Sequence, residues 1–584
     1  MEKKETVALV VCFLLILFLN IASAVQKTIV FDEVAYIPEG YLALTKGLFF
    51  SDDNPPLIKM LSAAPLLFLN LRLPADYYDL YLHNEFMKFG AHFLYEANHH
   101  AALITFLARL LPMMLSLVLA FFVYRWAKEL YGFKAGVFAL ILYTFSTNIL
   151  AESMLATTDF GATVFMFITL YFLWKYLKTR KWLFVFLIGL FFGLANITKL
   201  TGVFLLPIIV FFLCLDLARV YVTAKTHHIN SLRDTAIRHL YALIIIGVIT
   251  IVIINAGFLF QGTFTPLGKS LANDPAQYFD KEVFNSQRLS ETNSLGIPLV
   301  QKISYVYMEH VPLLLPYPYL KNFVGALKKN SEPLFWGGFM NGQLNERGDN
   351  KWYYIENFFI RTPIAFLLLF VMSLFFIKPG SWRDELILLA IPIVIFGYFT
   401  QGNMWSGVRY MLPLFPFLFV SCSKITINFK KNKVVYIISM LLLVWFILAS
   451  LSVFPHYLTY YNEAVGGPSQ GYHYFTGAAF DIGQNLGLLA AYAEKQNLGH
   501  IKLAYFGEAD PSYYDLDYEF LIYHGNLYNL SVENCEPQTG IVAASITYLQ
   551  PTRELQNPYC LSWLREYNPI AKIGNTIFVY NISN

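Results

Sequence analysis

Asp32 and Glu33 stand side by side shortly after an apolar run, Val7 to Val25, that is long enough to cross a bilayer. A carboxylate at a membrane exit is costly against lipid, so it faces either solvent or a polar cavity. In a cavity it can take a proton from a hydroxyl as that oxygen attacks. Lys59, Arg109, Asp159, Lys199 and Arg409 share this placement: each falls at or near the same-side end of an apolar stretch. One such charge is usually a snorkelling or helix-end residue. The whole set, with both signs, reads as a polar cavity whose cations could clamp an anion.

The elements that must position these residues begin with 31–60. Val34, Ile37, Tyr41 and Leu44 recur at helical spacing and predict a helix lying in the membrane interface. Pro38 is tolerated only in a first turn, so the regular helix is expected to begin near Ile37. Gly47 then breaks it, and Asn54-Pro55-Pro56 sets an extended corner. Leu57 to Leu71 reads as a second apolar helix, with Lys59 in its first turn.

The surrounding chain is membrane material. Of 584 residues, 57% are hydrophobic and only 14% charged, with 53 Phe and 39 Tyr. Soluble domains carry about 25% charge. About eleven spanning helices are expected from stretches of roughly 17–25 apolar residues. Their cores are 6–24, 103–123, 134–150, 160–177, 183–198, 201–218, 239–258, 362–377, 384–400, 408–423 and 434–454. Lys3-Lys4, Arg125 with Lys128, Lys175 to Lys181, Arg219 to Arg238, Lys378 with Arg383, and Lys430 to Lys433 then share one side, which the positive-inside rule makes cytoplasmic. That pattern requires two spans, not one, across 183–218. The N-terminal helix reads as an uncut signal anchor, although Ala22-Ser23-Ala24 imitates a cleavage site.

The expected domains are 1–454, a transmembrane domain with external loops 25–101 and 259–361, and 455–584, an extracytoplasmic α/β domain. The long loop is rich in Tyr and Pro and is expected to lie across the membrane surface as a lid. The tail has ordinary polarity, with strand-like runs at 501–506, 540–547 and 576–582 after a helical pattern near 484–494. Cys535 and Cys560 share this domain, and an oxidising compartment would join them. Cys12, Cys214 and Cys422 lie in or beside spans. No Cys/His cluster has zinc spacing, and the pairs His99-His100 and His227-His228 lack companions. No metal or other cofactor is expected, and nothing suggests a nucleic-acid partner.

Ordered motifs carry a family resemblance. Asp32-Glu33 followed by Asn54-Pro55-Pro56-Leu57-Ile58-Lys59 resembles the first external loop of family 39 glycosyltransferases, the protein mannosyltransferase-like membrane enzymes of GT-C fold. Ala108-Arg109-Leu110-Leu111-Pro112, Arg125 to Gly132, Leu155 to Asp159, Thr198-Lys199-Leu200-Thr201-Gly202, Arg361-Thr362-Pro363, Arg409 to Pro413, and Pro455 to Pro468 resemble further family motifs, in order. There are two departures. Aminoarabinose transferases often read Asp-Glu-x-Arg-Tyr, where this chain has Ala35 before Tyr36. Many relatives also read Ser-Asn-x-Asp-Trp-Gly-Gln in the tail, where this chain has Ala478 to Gln484 with Ile482 in the indole position.

The resemblance implies a multi-pass cell-membrane enzyme that transfers a hexosyl or mannosyl group outside the membrane. The donor would be a sugar on a polyprenyl or dolichyl phosphate, and the acceptor a hydroxyl on protein, lipid or glycan. Such a transfer passes through an oxocarbenium-like state. It needs a base for the hydroxyl and positive charge for the leaving phosphate. Asp32 maps onto the family's base, Glu33 would orient, and Asp159 would be a second acid. Arg109 maps onto the donor-phosphate arginine, with Lys59, Lys199 and Arg409 as further cation candidates. Transfer would be inverting. A transporter or flippase of lipid-linked sugars is the main alternative, but the internal repeat usual in transporters is not visible. A receptor or scaffold leaves the charged set unexplained.

Overall fold

The computed structural model describes residues 3–583 except 51–53, 224–228, 267–311, 332–337, 346–349, 377–381, 401–404, 478–479 and 526–529. The expected lid falls largely in undescribed residues, as do His227-His228 and Ala478-Ala479. Among the described residues, six helices are long and apolar enough to cross a membrane: Lys3–Ala24, Ala101–Tyr131, Thr158–Thr179, Leu200–Val222, Leu232–Gly257 and Lys433–Leu451. Two bent pairs, Phe133–Thr144 with Thr147–Ser153 and Tyr353–Ile360 with Ile364–Leu374, bring the number to eight if each is one span. The other expected spans form the helices Trp182–Asn196, Trp382–Phe399 and Leu414–Cys422. The first has 15 residues and the last nine, too short alone for a hydrocarbon core of roughly 30 Å. On length and apolarity, six to eight spans are thus counted among the described residues, against about eleven expected.

Lys3–Ala24 is apolar all round, as lipid contact requires. It exposes Val7, Val11, Leu14 and Phe18 and buries Leu9, Ile16 and Leu19 against the bundle. The 183–218 stretch forms two helices, Trp182–Asn196 and Leu205–Thr223, joined by a turn that carries Lys199.

The helix after the first span runs Phe31–Lys46, with Pro38 inside it, so the expected start near Ile37 is six residues late. A proline ring clashes with the carbonyl four residues back and leaves it without its helical donor. Here that carbonyl belongs to Val34, and Gly90 lies directly against it, where any side chain would collide. Asp32 and Glu33 occupy the first turn, where the free N–H groups favour acids. Gly47 ends the helix in the left-handed conformation, its N–H donating to Ala43 O. Gly40 lets the helix Leu57–Ala63 approach along the Lys59 carbonyl.

A short hairpin, β1 (Phe339–Met340) with β2 (Gln343–Leu344), lies in the long loop. The tail is built on six strands: β3 (Ile501–Ala504), β4 (Tyr518–Gly525), β5 (Leu530–Glu533), β6 (Gly540–Ser545), β7 (Ala571–Ile573) and β8 (Ile577–Ile582). They form one mixed sheet in the order β5-β4-β3-β6-β8-β7. β3 pairs in parallel with β4 and β6, and the outer pairs are antiparallel. The helix Leu486–Gln496 precedes β3, and Cys535 is bonded to Cys560.

The tail holds the strand of chain that leads into Asp32. Thr28 N–H donates to Gln484 O, and Phe31 N–H to Ile482 O, both at 3.1 Å. Gly487 N–H donates to Thr28 Oγ1 at 2.9 Å, and the Phe31 ring stacks on Phe506 at 6.4 Å.

Candidate active site

The neighbouring acids have separate surroundings. Glu33 is fully buried. Its Oε1 accepts from Arg109 Nε at 2.9 Å and from Ala156 N–H at 2.8 Å. Its Oε2 accepts from Arg109 Nη2 at 2.6 Å and from Val30 N–H at 3.1 Å. Arg109, 1% exposed, also donates from Nη1 to Ala24 O and Lys27 O and from Nη2 to Thr28 O, at 2.9 to 3.0 Å. A guanidinium has five N–H groups, and all are thereby engaged. In this arrangement Arg109 has no N–H left for the expected donor phosphate and ties the end of the first span to Glu33. Glu33 in turn links the helix start at Val30 to the loop before Thr158–Thr179.

Asp32 turns the other way. Its Oδ2 accepts from Arg409 Nη1 at 2.6 Å, and both side chains keep some access, 22% and 16%. Arg409 Nε is buried with no hydrogen-bond partner among the described residues. Beside this pair, Lys199 donates to Asp159 Oδ1. Tyr410 joins the two pairs, with Lys199 Nζ 3.9 Å and the Arg409 guanidinium 5.7 Å from its ring centroid. The turn Gly407–Met411 carries Arg409 and Tyr410, and Tyr353 OH anchors it by accepting from Gly407 N–H at 3.0 Å.

Lys59 stands apart from these cations. It is buried in an ion pair with Glu39 at 2.6 Å and lies 5.0 Å from the Tyr36 ring centroid. This pair links two first-loop helices, Phe31–Lys46 and Leu57–Ala63. The structure thus brings together Asp32, Asp159, Lys199 and Arg409, and sets Glu33, Arg109 and Lys59 into the supporting frame.

Two site residues escaped the sequence reading. Tyr410 was visible only as part of a motif. Glu152, 7% exposed, lies under the charges of Asp159, Arg409, Asp32 and Arg361. Its signal was a lone acid at the end of an apolar stretch, which in a membrane is a functional candidate by default.

A polar seam outside the spans supports the frame. Lys27 Nζ donates to Asn485 Oδ1 at 2.8 Å and meets His456 Nδ1 at 2.6 Å. Burial, and after it the Arg109 charge, brings Lys27 down to about 7. Burial and the Lys27 charge bring His456 down to about 4. In the tail, burial pushes Asp481 up to about 7, although Gly483 N–H and Thr547 Oγ1 donate to it. Burial and then Asp481 push Glu554 up to about 8. For a metal, the one described group of three convergent ligand residues is Glu533, Cys535 and Cys560, whose two sulfurs are in the disulfide.

Residues 104–252 match the family model described as dolichyl-phosphate-mannose-protein mannosyltransferase. No curated protein matches the sequence. Among solved structures, the archaeal oligosaccharyltransferase AglB of Archaeoglobus fulgidus, in complex with an inhibitory peptide and a dolichol-phosphate, aligns at 13% identity and TM-score 0.42. That alignment covers 78% of this chain and 55% of AglB, so this chain spans little more than half of that relative's length. The S. cerevisiae protein O-mannosyltransferase Pmt1-Pmt2 complex, bound to the sugar donor, aligns at 12% identity and TM-score 0.49, covering 78% and 90%. ArnT of Cupriavidus metallidurans, bound to undecaprenyl phosphate, aligns at 12% identity and TM-score 0.32, covering 99% and 98%. The sequence likeness to the dolichyl-phosphate-mannose-protein mannosyltransferase family thus covers residues 104–252 of the 584.

Proposed function

We propose that this chain transfers a sugar, hexosyl or mannosyl in type, from a polyprenyl or dolichyl phosphate to an acceptor hydroxyl on the extracytoplasmic side, by inverting displacement. The observation that carries this is the Asp32–Arg409 pair. It is a partly open carboxylate beside an arginine with N–H groups to spare, next to Asp159 and Lys199. Arg409 and Lys199 would hold the donor phosphate through charge-assisted hydrogen bonds. A phosphate on Arg409 competes with Asp32 for the guanidinium. It thereby releases Asp32 to accept the proton of the attacking hydroxyl. The phosphate leaves as the glycosidic bond forms, and the two cations offset the charge that develops on it. Asp159 keeps Lys199 in place. Base and cation clamp together account for the transfer without a metal step.

The test is a membrane assay with a panel of labelled polyprenyl-phosphate sugars. Membranes carrying the wild-type chain should convert one of them to a labelled product, and membranes carrying Asp32→Asn should not. Absence of product from every donor, with protein and peptide acceptors present, would overturn the proposal.

A further inference from the structure

The helical part buries seven acids among its described residues: Glu5, Glu33, Glu39, Glu152, Asp159, Asp216 and Glu385. Six have a cation: Lys128, Arg109, Lys59, Lys199, Arg180 and Lys424 pair with Glu5, Glu33, Glu39, Asp159, Asp216 and Glu385 respectively. Glu152 is the exception. Its side chain is 7% exposed and has neither an ion pair nor a hydrogen bond among the described residues. Leaving a buried carboxylate unpartnered is expensive, and a native chain that does so usually has a ligand or a catalytic use for it.

Its position says which ligand. Glu152 lies in the helix Thr147–Ser153, which packs against the turn carrying Arg409 and the helix Thr158–Thr179 that carries Asp159 in its first turn. Asn148, four residues earlier on the same face, donates to Arg361 O at 3.0 Å and fixes that face toward the site. The charges acting on Glu152 are Asp159, Arg409, Asp32 and Arg361. It is thus a neighbour of the arginine that would hold the donor phosphate. A sugar linked to that phosphate through its anomeric carbon brings its ring hydroxyls to the same neighbourhood. Hydroxyls are donors, and an ionised carboxylate is acceptor-only with two oxygens, so one carboxylate can take two neighbouring hydroxyls.

We propose that Glu152 is the sugar-recognising residue of the site, binding ring hydroxyls of the donor's sugar. Glu152 has this role only if the chain transfers sugar from a phosphate-linked carrier as proposed above. Binding supplies the partner that the folded chain withholds, so the sugar is selected by where its hydroxyls point. Asp32, once released, is needed for the acceptor's proton and Asp159 holds Lys199, so both are less suited to it.

The experiment is equilibrium binding to the purified full chain. The probes are polyprenyl-phosphate mannose, polyprenyl-phosphate glucose and bare polyprenyl phosphate. The proteins are wild type, Glu152→Ala and Glu152→Gln. Wild type should bind one sugar-linked probe at least about tenfold more tightly than the bare carrier, the worth of one hydrogen bond to a charged group. Glu152→Ala should erase that preference while affinity for the bare carrier stays within about twofold of wild type. Glu152→Gln, which keeps one neutral acceptor, should lose less. Retained sugar preference in Glu152→Ala would overturn the proposal, as would an equal loss for all three probes or no sugar preference in the wild type. The product assay separates the two failures. If wild type forms product while Glu152→Ala still prefers the sugar, only the assignment of Glu152 falls. If wild type forms no product from any donor, the transfer itself falls.

Discussion

Asp32–Arg409 and Glu33–Arg109 are both carboxylate–arginine pairs, their acids one position apart in sequence, with opposite hydrogen-bond saturation. Arg109 engages all five N–H groups, on Glu33 and three carbonyls, and Glu33 fills both oxygens. Arg409 makes one described hydrogen bond, to Asp32, and leaves Nε buried without an acceptor. A saturated pair can only hold its shape. An unsaturated one can exchange partners, and exchange is what binding followed by proton transfer requires. Under the proposed function, the capacity for chemistry would follow the unspent hydrogen bonds and not the burial of the charge.

The sharpest way to break the contrast is at Asp32. Asp32→Asn keeps the size and an acceptor oxygen but cannot take the hydroxyl proton, and should lower turnover about 10²–10⁴-fold while the protein folds and inserts normally. Turnover measured on purified protein decides it, and near-normal turnover would make Asp32 a second structural acid. Arg109→Ala should act through stability instead. Removing one partner from a buried ion pair typically costs about 3–5 kcal/mol, here with the Lys27 and Thr28 carbonyls also orphaned. Thermal unfolding and the yield of folded protein report it. If Arg109→Ala melts like wild type but loses donor affinity, the roles of the two arginines are reversed.

Arg409→Ala should weaken donor binding about 10- to 100-fold with little loss of stability, since it gives up a charge-assisted contact to the phosphate. Donor titration with acceptor saturating measures this, and a change confined to acceptor KM would move the phosphate elsewhere.

The smallest effect concerns the tail that supports Asp32. Asp481 binds its proton more tightly folded, near pH 7, than unfolded, near 3.8. A raised folded value contributes stability that is full below the unfolded value and is lost as pH rises through the folded one. The melting temperature of wild type minus that of Asp481→Asn should therefore fall between pH 4 and pH 7. Taking the difference cancels His456, which titrates with the opposite sign over part of that range. A flat difference would show that Asp481 does not titrate there.

Much of the frame was legible beforehand. Apolar length marked the main helices, and the alternation of basic loops required a break within 183–218, where the chain turns at Lys199. Strand-like runs marked β3, β6 and β8, and the two tail cysteines are bonded. Pro38 misled because the rule against proline in helices assumes that the carbonyl it leaves behind has nowhere to go. Gly90 provides close backbone packing there, through a contact from another helix that no local pattern announces.

The sequence by itself determined that this is a many-helix membrane chain with a mixed α/β tail and a set of charges gathered at helix ends. Those properties follow from apolar length and period, which act locally. Only the tertiary structure decided which charges are saturated with hydrogen bonds and which keep some to spare. Neighbouring residues on a helix diverge by about 100°, so Asp32 and Glu33 face different parts of the bundle. Their arginines lie 377 and 76 positions away. Partners so distant are chosen by packing, and the number of N–H groups each arginine has left is fixed only when that packing is complete.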